Sequence, residues 1–191
     1  TLEAVGAGAR QRCRMMIENG VELARFAAHP WPVAPDAQNP LRVLFVGRLI
    51  PLKGLDMLLA AVARLRREGR PVVLDVVGDG PMLEDWKTLA RSLELGDAAV
   101  FHGAQPLDAV ARFMGACHVF CLPSVRESGG AVLLEAMASA RPVVALDFGG
   151  PGELVDAKVG ALLPMTTPEG VIDDLSAALR DVFAQPHAWR R

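Results

Sequence analysis

The sequence predicts a doubly wound parallel α/β domain with about six strands and with helices on both faces of the sheet. Six short apolar runs recur from residue 41 onward, and longer amphipathic segments separate them. Because the runs are apolar at successive positions, both faces of each strand are expected to be buried, as is typical of a parallel sheet. The predicted strands are residues 42–46, 72–77, 99–102, 118–122, 142–146 and 160–163.

The segments between the strands have the periodicity of helices. In the first of them, apolar residues at intervals of three and four form a stripe that consists of Leu55, Leu58, Leu59, Val62 and Leu65. The predicted helices are residues 54–68, 81–94, 106–116, 130–140 and 168–184. Alternating strands and helices predict right-handed βαβ units, whose ligands bind beyond the carboxyl ends of the strands.

Length and charge restrict the classes of partner. The chain has 191 residues, which suits one domain, and a formal net charge of -2 with acidic and basic residues interspersed. Without a basic stripe, nucleic acid is not expected as a partner.

The sequence predicts no membrane segment. No apolar stretch is as long as a membrane-spanning helix, which takes about 20 residues, and no basic and apolar leader opens the chain. A cytoplasmic protein is expected.

The cysteines indicate neither disulfides nor a metal. Cys13, Cys117 and Cys121 have no disulfide-framework spacing, as expected in a reducing compartment. Cys117, His118 and Cys121 are close enough in sequence to suggest a metal site. A strand would point the two thiols to one face of the sheet and the imidazole to the other. We therefore interpret all three as core residues and predict no metal.

The first 40 residues differ from the rest of the chain. Residues 29–40 are rich in proline and polar residues, which predicts a linker. All predicted strands fall after this stretch, so we place the folded domain at residues 41–191.

The first predicted strand leads into a loop with two cations. GRLIPLKG places Gly47 and Arg48 at the strand end, and Lys53 and Gly54 at the start of the next helix. The N–H groups and dipole of a helix N-terminus favour anions, and the two cations would complete a site for a diphosphate. A solvated loop without a binding role explains this stretch equally well. The GDGP sequence after the second strand is interpreted as a tight turn, because it lacks the third glycine of a dinucleotide-binding fingerprint.

The richest candidate segment runs from Pro123 to Val144, from a strand end through a loop into a helix. Its two carboxylates, Glu127 and Glu135, are eight residues apart, so they are expected to reach one pocket, the first from the loop and the second from about a turn and a half inside the helix. The glycines lack Cβ atoms, the first N–H groups of the helix are expected to be free for a phosphate, and the carboxylates can accept hydrogen bonds from hydroxyls. For Glu135 alone, an acid near the positive end of the helix dipole is the simpler explanation. The candidates are Glu127, Ser128, Gly129, Gly130, Ala131, Val132 and Glu135.

Together these segments resemble glycosyltransferase family 4, whose members have the GT-B fold of two Rossmann-like domains. VGRLIPLKGLDMLLAA, VVGDGP, VFHGAQP, LPSVRESGGAVLLEAMA and PVVALDFGGPGELV follow in the family's order. The resemblance covers nearly all of residues 41–184. IENGVELARF resembles the end of the family's inter-domain connection, which assigns residues 1–40 to that connection and the linker. The chain thus looks like the C-terminal, donor-binding half of such an enzyme.

The resemblance implies retaining transfer from a nucleoside diphosphate sugar of the UDP, GDP or ADP type, without a cofactor and commonly without a metal. It implies that Arg48 and Lys53 hold the diphosphate and stabilise it as the leaving group. Glu127 is expected to orient the donor sugar without acting as a nucleophile, and Glu135 to bind the ribose. Backbone groups of residues 103–106 are expected to contact the base.

The chain departs from the family's pattern in two ways. Ser128 and Gly129 stand where the family usually has Gly and Phe, which removes an aromatic wall and leaves the donor-sugar preference open. No residues correspond to the N-terminal, acceptor-binding domain, so the chain alone is expected to be inactive and the acceptor is unidentified. For the full-length protein, the resemblance allows peripheral membrane association as well as a cytoplasmic location.

Two other classes of function remain open. A non-catalytic nucleotide or nucleotide-sugar binding module would keep Arg48, Lys53 and Glu135, but it has no use for Glu127. A dinucleotide-dependent oxidoreductase needs the complete glycine-rich fingerprint and an acidic residue about 20 residues further on, which the GDGP turn does not supply.

Overall fold

The computed structural model describes residues 19–190. These residues contain one six-stranded sheet with the order β3-β2-β1-β4-β5-β6, in which all neighbouring strands are parallel. The predicted strands are confirmed to within one residue at either end. Their bounds are β1 Leu41–Val46, β2 Val72–Val77, β3 Ala99–Phe101, β4 Val119–Leu122, β5 Val143–Leu146 and β6 Gly160–Leu163.

The five predicted helices are also present, and two short helices were not predicted. Within the described residues, no helix is both long enough and apolar enough to cross a membrane. The bounds are α1 Leu55–Arg67, α2 Leu83–Ser92, α3 Leu107–Ala116, α4 Ala131–Ala138, α5 Gly150–Leu154, α6 Pro168–Ala184 and α7 Pro186–Trp189, with 3₁₀ turns at Pro51–Lys53 and Gly96–Ala98.

The sheet separates two apolar clusters, so helices cover both of its faces. On one face, α1 and α6 pack against each other and over strand residues such as Val43 and Val119. On the other face, α3 and α4 pack over Leu44 and Phe120. Successive strand residues therefore enter different clusters. This explains why the strands are apolar at successive positions instead of alternating with polar residues.

The region of the cysteines differs from its prediction. β4 begins at Val119, so Cys117 lies at the C-terminal end of α3. Cys117 packs in the cluster that contains α3, whereas Cys121 packs in the opposite cluster. The prediction that both thiols share one face is wrong, because strand alternation does not reach residue 117. Burial raises the pKa of the Cys117 thiol to about 12. Cys13 lies outside the described residues.

Part of the predicted linker is bound tightly to the domain through Arg141. This side chain is only 1% exposed. Its guanidinium donates hydrogen bonds to the carbonyl oxygens of Pro30 at 2.8 Å and Gly115 at 2.9 Å, and its Nε donates to the carbonyl oxygen of Met114 at 2.8 Å. A buried cation satisfied by carbonyl oxygens of two segments holds those segments together.

His118 attaches the same segment at a second place. Its Nε2 donates to the carbonyl oxygen of Val33, and its Nδ1 accepts the backbone N–H of Arg42, both at 2.8 Å. The Trp31 indole donates to the carbonyl oxygen of His118 at 3.0 Å. Burial lowers the pKa of His118, and its hydrogen bonds require the neutral ring protonated on Nε2.

The strand order reverses at the middle of the sheet. β1 pairs with β2 on one side and with β4 on the other, so successive crossovers run in opposite directions from β1. In open α/β sheets, the binding crevice lies outside the carboxyl ends of the strands at this switch point. The loops that follow β1 and β4 therefore flank the expected crevice.

Candidate functional site

The first loop (residues 47–54) leaves the carboxyl end of β1. The N–H of Gly47 donates to the carbonyl oxygen of Val77 at 3.0 Å, and the side chain of Leu49 is buried. These two residues anchor the loop on both sides of Arg48, which is exposed. The guanidinium of Arg48 is thus presented to solvent from a fixed backbone.

The GDGP turn after β2 packs directly against the first loop. A Cβ atom on Gly78 would lie 1.9 Å from the carbonyl oxygen of Gly47, and one on Gly80 would lie 2.4 Å from that of Leu49. The glycines of this turn allow a close approach of two backbones. This geometry agrees with the interpretation of GDGP as a tight turn.

The second loop (residues 123–130) leaves β4 and meets the first loop through backbone contacts. The N–H of Val125 donates to the carbonyl oxygen of Leu52 at 2.9 Å. Gly54 has a φ of 62°, and a Cβ atom there would lie 2.2 Å from the carbonyl oxygen of Pro123. Any other residue at this position would strain the backbone and separate the loops.

An ion pair joins the side chains of the two loops. Lys53 Nζ lies 2.5 Å from Glu127 Oε2, and the two side chains are only 19% and 13% exposed. A charge-assisted hydrogen bond in a partly buried place fixes both groups. Lys53, predicted to bind the diphosphate, and Glu127, predicted to bind the sugar, are therefore in direct contact, although they are 74 positions apart in the chain.

Helix α4 begins at Ala131, and Gly130, with a φ of 68°, is its N-cap residue. Its N–H donates to Glu127 Oε1 at 3.4 Å, so it already has a partner, in contrast to the free N–H that was expected. A Cβ atom on Gly130 would come within 3.1 Å of the Leu133 side chain, so this glycine serves backbone conformation and packing. Ala131 and Val132 follow in a first turn that no side chain caps. Their N–H groups and the helix dipole favour an anion there.

Ser128 and Gly129 have different surroundings. Ser128 is exposed. The space beside the Cα atom of Gly129 is occupied by the amide of Asn19, whose Nδ2 lies 2.2 Å from the position that a Cβ atom would take. A polar group from a distant segment therefore lies where a side chain at position 129 would begin. No sequence pattern indicates this contact, because 110 positions separate the two residues.

Glu135 is the fifth residue of α4 and is half-buried. Burial raises the pKa of its carboxyl group. No salt bridge to Glu135 occurs within residues 19–190. A partly desolvated carboxylate without a cation gains stability from any ligand hydroxyl that donates to it.

The sequence analysis missed a third loop (residues 147–150) that supports the second. A Cβ atom on Gly149 would lie 2.1 Å from the carbonyl oxygen of Glu127, and one on Gly150 would lie 2.6 Å from the carbonyl carbon of Gly129. The N–H of Gly150 also donates to the carbonyl oxygen of Glu127 at 3.2 Å. Two adjacent glycines in the segment that follows a predicted strand were the available signal, because they permit a close approach of this kind.

These contacts bring together part of the predicted set. Lys53, Glu127 and Gly130 are directly linked, and Arg48 is on the same loop as Lys53. Glu135 is further along α4, and no salt bridge joins it to these residues within the described part of the chain. Cations beside an uncapped helix start can bind a phosphate, and carboxylates nearby can bind hydroxyls. Within residues 19–190, no group of three or more His, Cys, Asp or Glu residues could hold a metal ion.

Comparison with known proteins identifies the family. The sequence profile described as glycosyl transferases group 1 matches residues 32–191. Over 185 residues the chain is 33% identical to the GDP-mannose-dependent alpha-(1-6)-phosphatidylinositol monomannoside mannosyltransferase of Mycolicibacterium smegmatis, covering 87% of this chain and 46% of that protein. It is 32% identical to the 2-deoxystreptamine glucosyltransferase of Streptomyces kanamyceticus, covering 97% of this chain and 49% of that protein. The chain spans about half the length of the curated relatives it matches.

Solved structures agree in fold. The Anabaena protein HepE in complex with UDP and glucose superimposes with a TM-score of 0.74 at 25% identity, over 91% of this chain and 48% of that one. The six-stranded parallel sheet is a Rossmann-like domain of the GT-B type. Since the family profile covers all six strands and the three loops of the site, the chain belongs to the group 1 glycosyltransferases.

Proposed function

We propose that this chain is the donor-binding domain of a retaining glycosyltransferase, the C-terminal half of a GT-B enzyme of family 4. The observation that carries the proposal is the meeting of Lys53, Glu127 and the start of α4 at the switch point of the sheet. A cation, a carboxylate and free helix N–H groups in one crevice match the diphosphate and the hydroxyls of a nucleotide sugar.

Arg48 and Lys53 bind the diphosphate in this proposal. As the bond between the sugar and the diphosphate breaks, negative charge grows on the departing phosphate oxygens. Fixed cations lower the barrier when they bind that charge more strongly than they bind the intact donor. The N–H groups of Ala131 and Val132 add to the same stabilisation. No metal or cofactor is required for these steps.

Glu127 orients the sugar without forming a covalent bond to it. The acceptor hydroxyl attacks from the face that the diphosphate leaves, and its proton passes to the departing phosphate oxygen, so the configuration is retained. Lys53 neutralises Glu127 before the donor binds and keeps the carboxylate from repelling the diphosphate. A non-catalytic module would have no use for a second carboxylate held beside its phosphate-binding lysine.

The remaining parts of the donor have separate contacts. Glu135 accepts hydrogen bonds from the ribose hydroxyls. The base lies near residues 103–106, where Gly103 is tied to Gly78 by a backbone hydrogen bond of 2.8 Å. Backbone recognition there leaves UDP, GDP and ADP types as candidate donors.

The acceptor is proposed to bind elsewhere. The chain spans about half the length of its curated relatives, and the site described here accounts for the donor alone. We propose that an N-terminal domain supplies the acceptor site, that the full-length enzyme works in the cytoplasm or at its membrane surface, and that this chain by itself transfers nothing.

Calorimetric titration of the chain with UDP, GDP, ADP and their sugars tests the donor site. One nucleotide series is expected to bind. Arg48→Ala and Lys53→Ala should each weaken that binding by roughly tenfold or more, because each removes a charged contact worth about 1.5–3 kcal/mol. Arg67→Ala and Lys158→Ala, at exposed positions, are the matched controls. A folded chain that binds none of these ligands would refute the proposal.

A further inference from the structure

Asn19 makes a contact with the candidate site that its position in the chain does not suggest. Its amide lies against the Cα atom of Gly129, with Nδ2 2.2 Å and both Cγ and Oδ1 3.1 Å from the place of a Cβ atom. Gly129 is not among the glycines with positive φ. Its backbone would accept a side chain, but the three nearest heavy atoms to the place of a Cβ atom, among residues 19–190, all belong to Asn19.

The segment that carries Asn19 is anchored nearby. Val21 packs against the apolar cluster on the α3 and α4 face, and Phe26 is 3% exposed within that cluster. Arg25 Nε donates to Asp108 Oδ1 at 2.8 Å, which ties the segment to α3. These contacts fix the chain on the C-terminal side of Asn19, so the amide is held beside the second loop by the fold of the segment.

The third loop fixes the second loop through the carbonyl groups of Glu127 and Gly129. The backbone of Gly150 lies against the carbonyl group of Gly129, and its N–H donates to the carbonyl oxygen of Glu127 at 3.2 Å. The loop therefore has little freedom to move away from Asn19. A side chain at position 129 can be accommodated only if the amide of Asn19 is displaced.

We propose that Asn19 is a specificity-determining residue for the donor sugar, an inference that rests on the proposed function. Asn19 is half-buried and lies against Gly129, which is two residues along the second loop from Glu127, the proposed sugar ligand. A carboxamide both donates and accepts hydrogen bonds, which suits a sugar hydroxyl. A site that bonds a hydroxyl discriminates against sugars that lack it or present it differently. The glycine at position 129 makes room for this amide.

The test compares the affinity for a nucleotide with the affinity for its sugar, using UDP with UDP-glucose and UDP-galactose, GDP with GDP-mannose, and ADP with ADP-glucose. For the pair that binds, Asn19→Ala should weaken the nucleotide sugar by roughly five- to tenfold, as the loss of a hydrogen bond predicts. The free nucleotide should change by less than about twofold. Asn39→Ala, an amide bonded to Asp36 in an exposed turn, is the matched control and should change neither.

Gly129→Ala provides the second variant. Its methyl group must displace the amide, so it should reproduce the loss seen with Asn19→Ala, and the double variant should lose no more than either single variant. Circular dichroism and thermal unfolding establish that each variant is folded. Additive losses in the double variant would contradict the inference, because they would mean that the two residues act independently.

Failure of the inference and failure of the proposed function give different results. If the wild-type chain binds nucleotide and sugar nucleotide but Asn19→Ala leaves their affinity ratio unchanged, the inference alone is wrong. The same conclusion follows if the wild-type chain binds the nucleotide and its sugar equally. If the folded wild-type chain binds no nucleotide, the proposed function is wrong and the inference falls with it.

Discussion

Glu135 combines a cost in stability with the proposed role in ribose binding. Its carboxyl group is half-buried in α4, and burial raises its pKa. A folded-state pKa above the unfolded value means that the unfavourable contribution is fully present above the folded pKa and is relieved as the pH falls through it. A ribose that donates hydrogen bonds to this carboxylate would offset the same cost.

Glu135→Gln is therefore expected to stabilise the ligand-free chain and weaken nucleotide binding. The neutral amide carries no desolvated charge, but it accepts hydrogen bonds less strongly, so affinity should fall by about tenfold. Urea unfolding should show the gain in unfolding free energy at pH 8 and a smaller gain at pH 4. Glu84→Gln, an exposed acid in α2, is the control. A loss of stability at pH 8 would mean that an unrecognised partner holds the carboxylate.

At the scale of elements, periodicity was enough to place the strands and the longer helices. Successive apolar residues identified the strands because both faces of the sheet are covered. The loops of the candidate site could be located because they follow strand ends. Periodicity says nothing about contacts between loops. The pairing of Lys53 with Glu127 spans 74 positions, and the contact of Asn19 with Gly129 spans 110, so both needed the fold.

The short helices and the exact ends of elements could not be predicted from the sequence either. Helix α5 has only five residues, Gly150–Leu154, which is too short for an apolar period to be recognised. Strand alternation was extended to Cys117, one residue before the predicted strand at 118–122, but Cys117 caps the C-terminal end of α3 instead. Element ends depend on hydrogen bonds that residue types alone do not determine.

Gly54 controls how the first two loops meet, and Gly54→Ala is expected to reduce both stability and nucleotide affinity. The left-handed conformation costs about 1–2 kcal/mol for a residue with a Cβ atom, and the methyl group would also collide with the carbonyl oxygen of Pro123. Lys53 would shift with the loop. Gly69→Ala is the matched control, because Gly69 has a φ of 78° with nothing within 4 Å.

Chemical denaturation and calorimetry separate the two effects. Gly69→Ala should lose only the conformational part of the stability and keep its affinity, because Gly69 follows α1 at the end away from Lys53. Gly54→Ala should lose more stability and bind nucleotide more weakly. Equal behaviour of the two variants would show that the contact between Gly54 and Pro123 does not position the site.

The whole molecule brings the loops of the proposed donor site to the switch point of a single Rossmann-like sheet. β1 and β4 carry the two loops, and the GDGP turn and the third loop hold them from either side along the sheet. Segment 29–33 is joined to this domain through Arg141 and His118. The proposed function assigns donor binding to this arrangement and acceptor binding to another part of the enzyme.

The chain is accordingly expected to bind its donor without transferring the sugar. Incubation with the nucleotide sugar that binds best should yield no glycosylated product when simple alcohols or sugars are offered as acceptors, and mass spectrometry would check this. A longer form of the protein that includes the proposed N-terminal domain serves as the positive control. Transfer by the 191-residue chain at a rate comparable to that of the longer form would contradict the division of roles.

A crystal structure of the chain with the nucleoside diphosphate that binds best tests the central claim most directly. The account predicts that the diphosphate oxygens contact Lys53 and Arg48 and accept N–H groups from the first turn of α4. Glu127 should remain beside Lys53 at the end of the diphosphate where the sugar would be attached. A nucleotide bound elsewhere, with Arg48, Lys53 and the start of α4 left without contacts to it, would contradict the account.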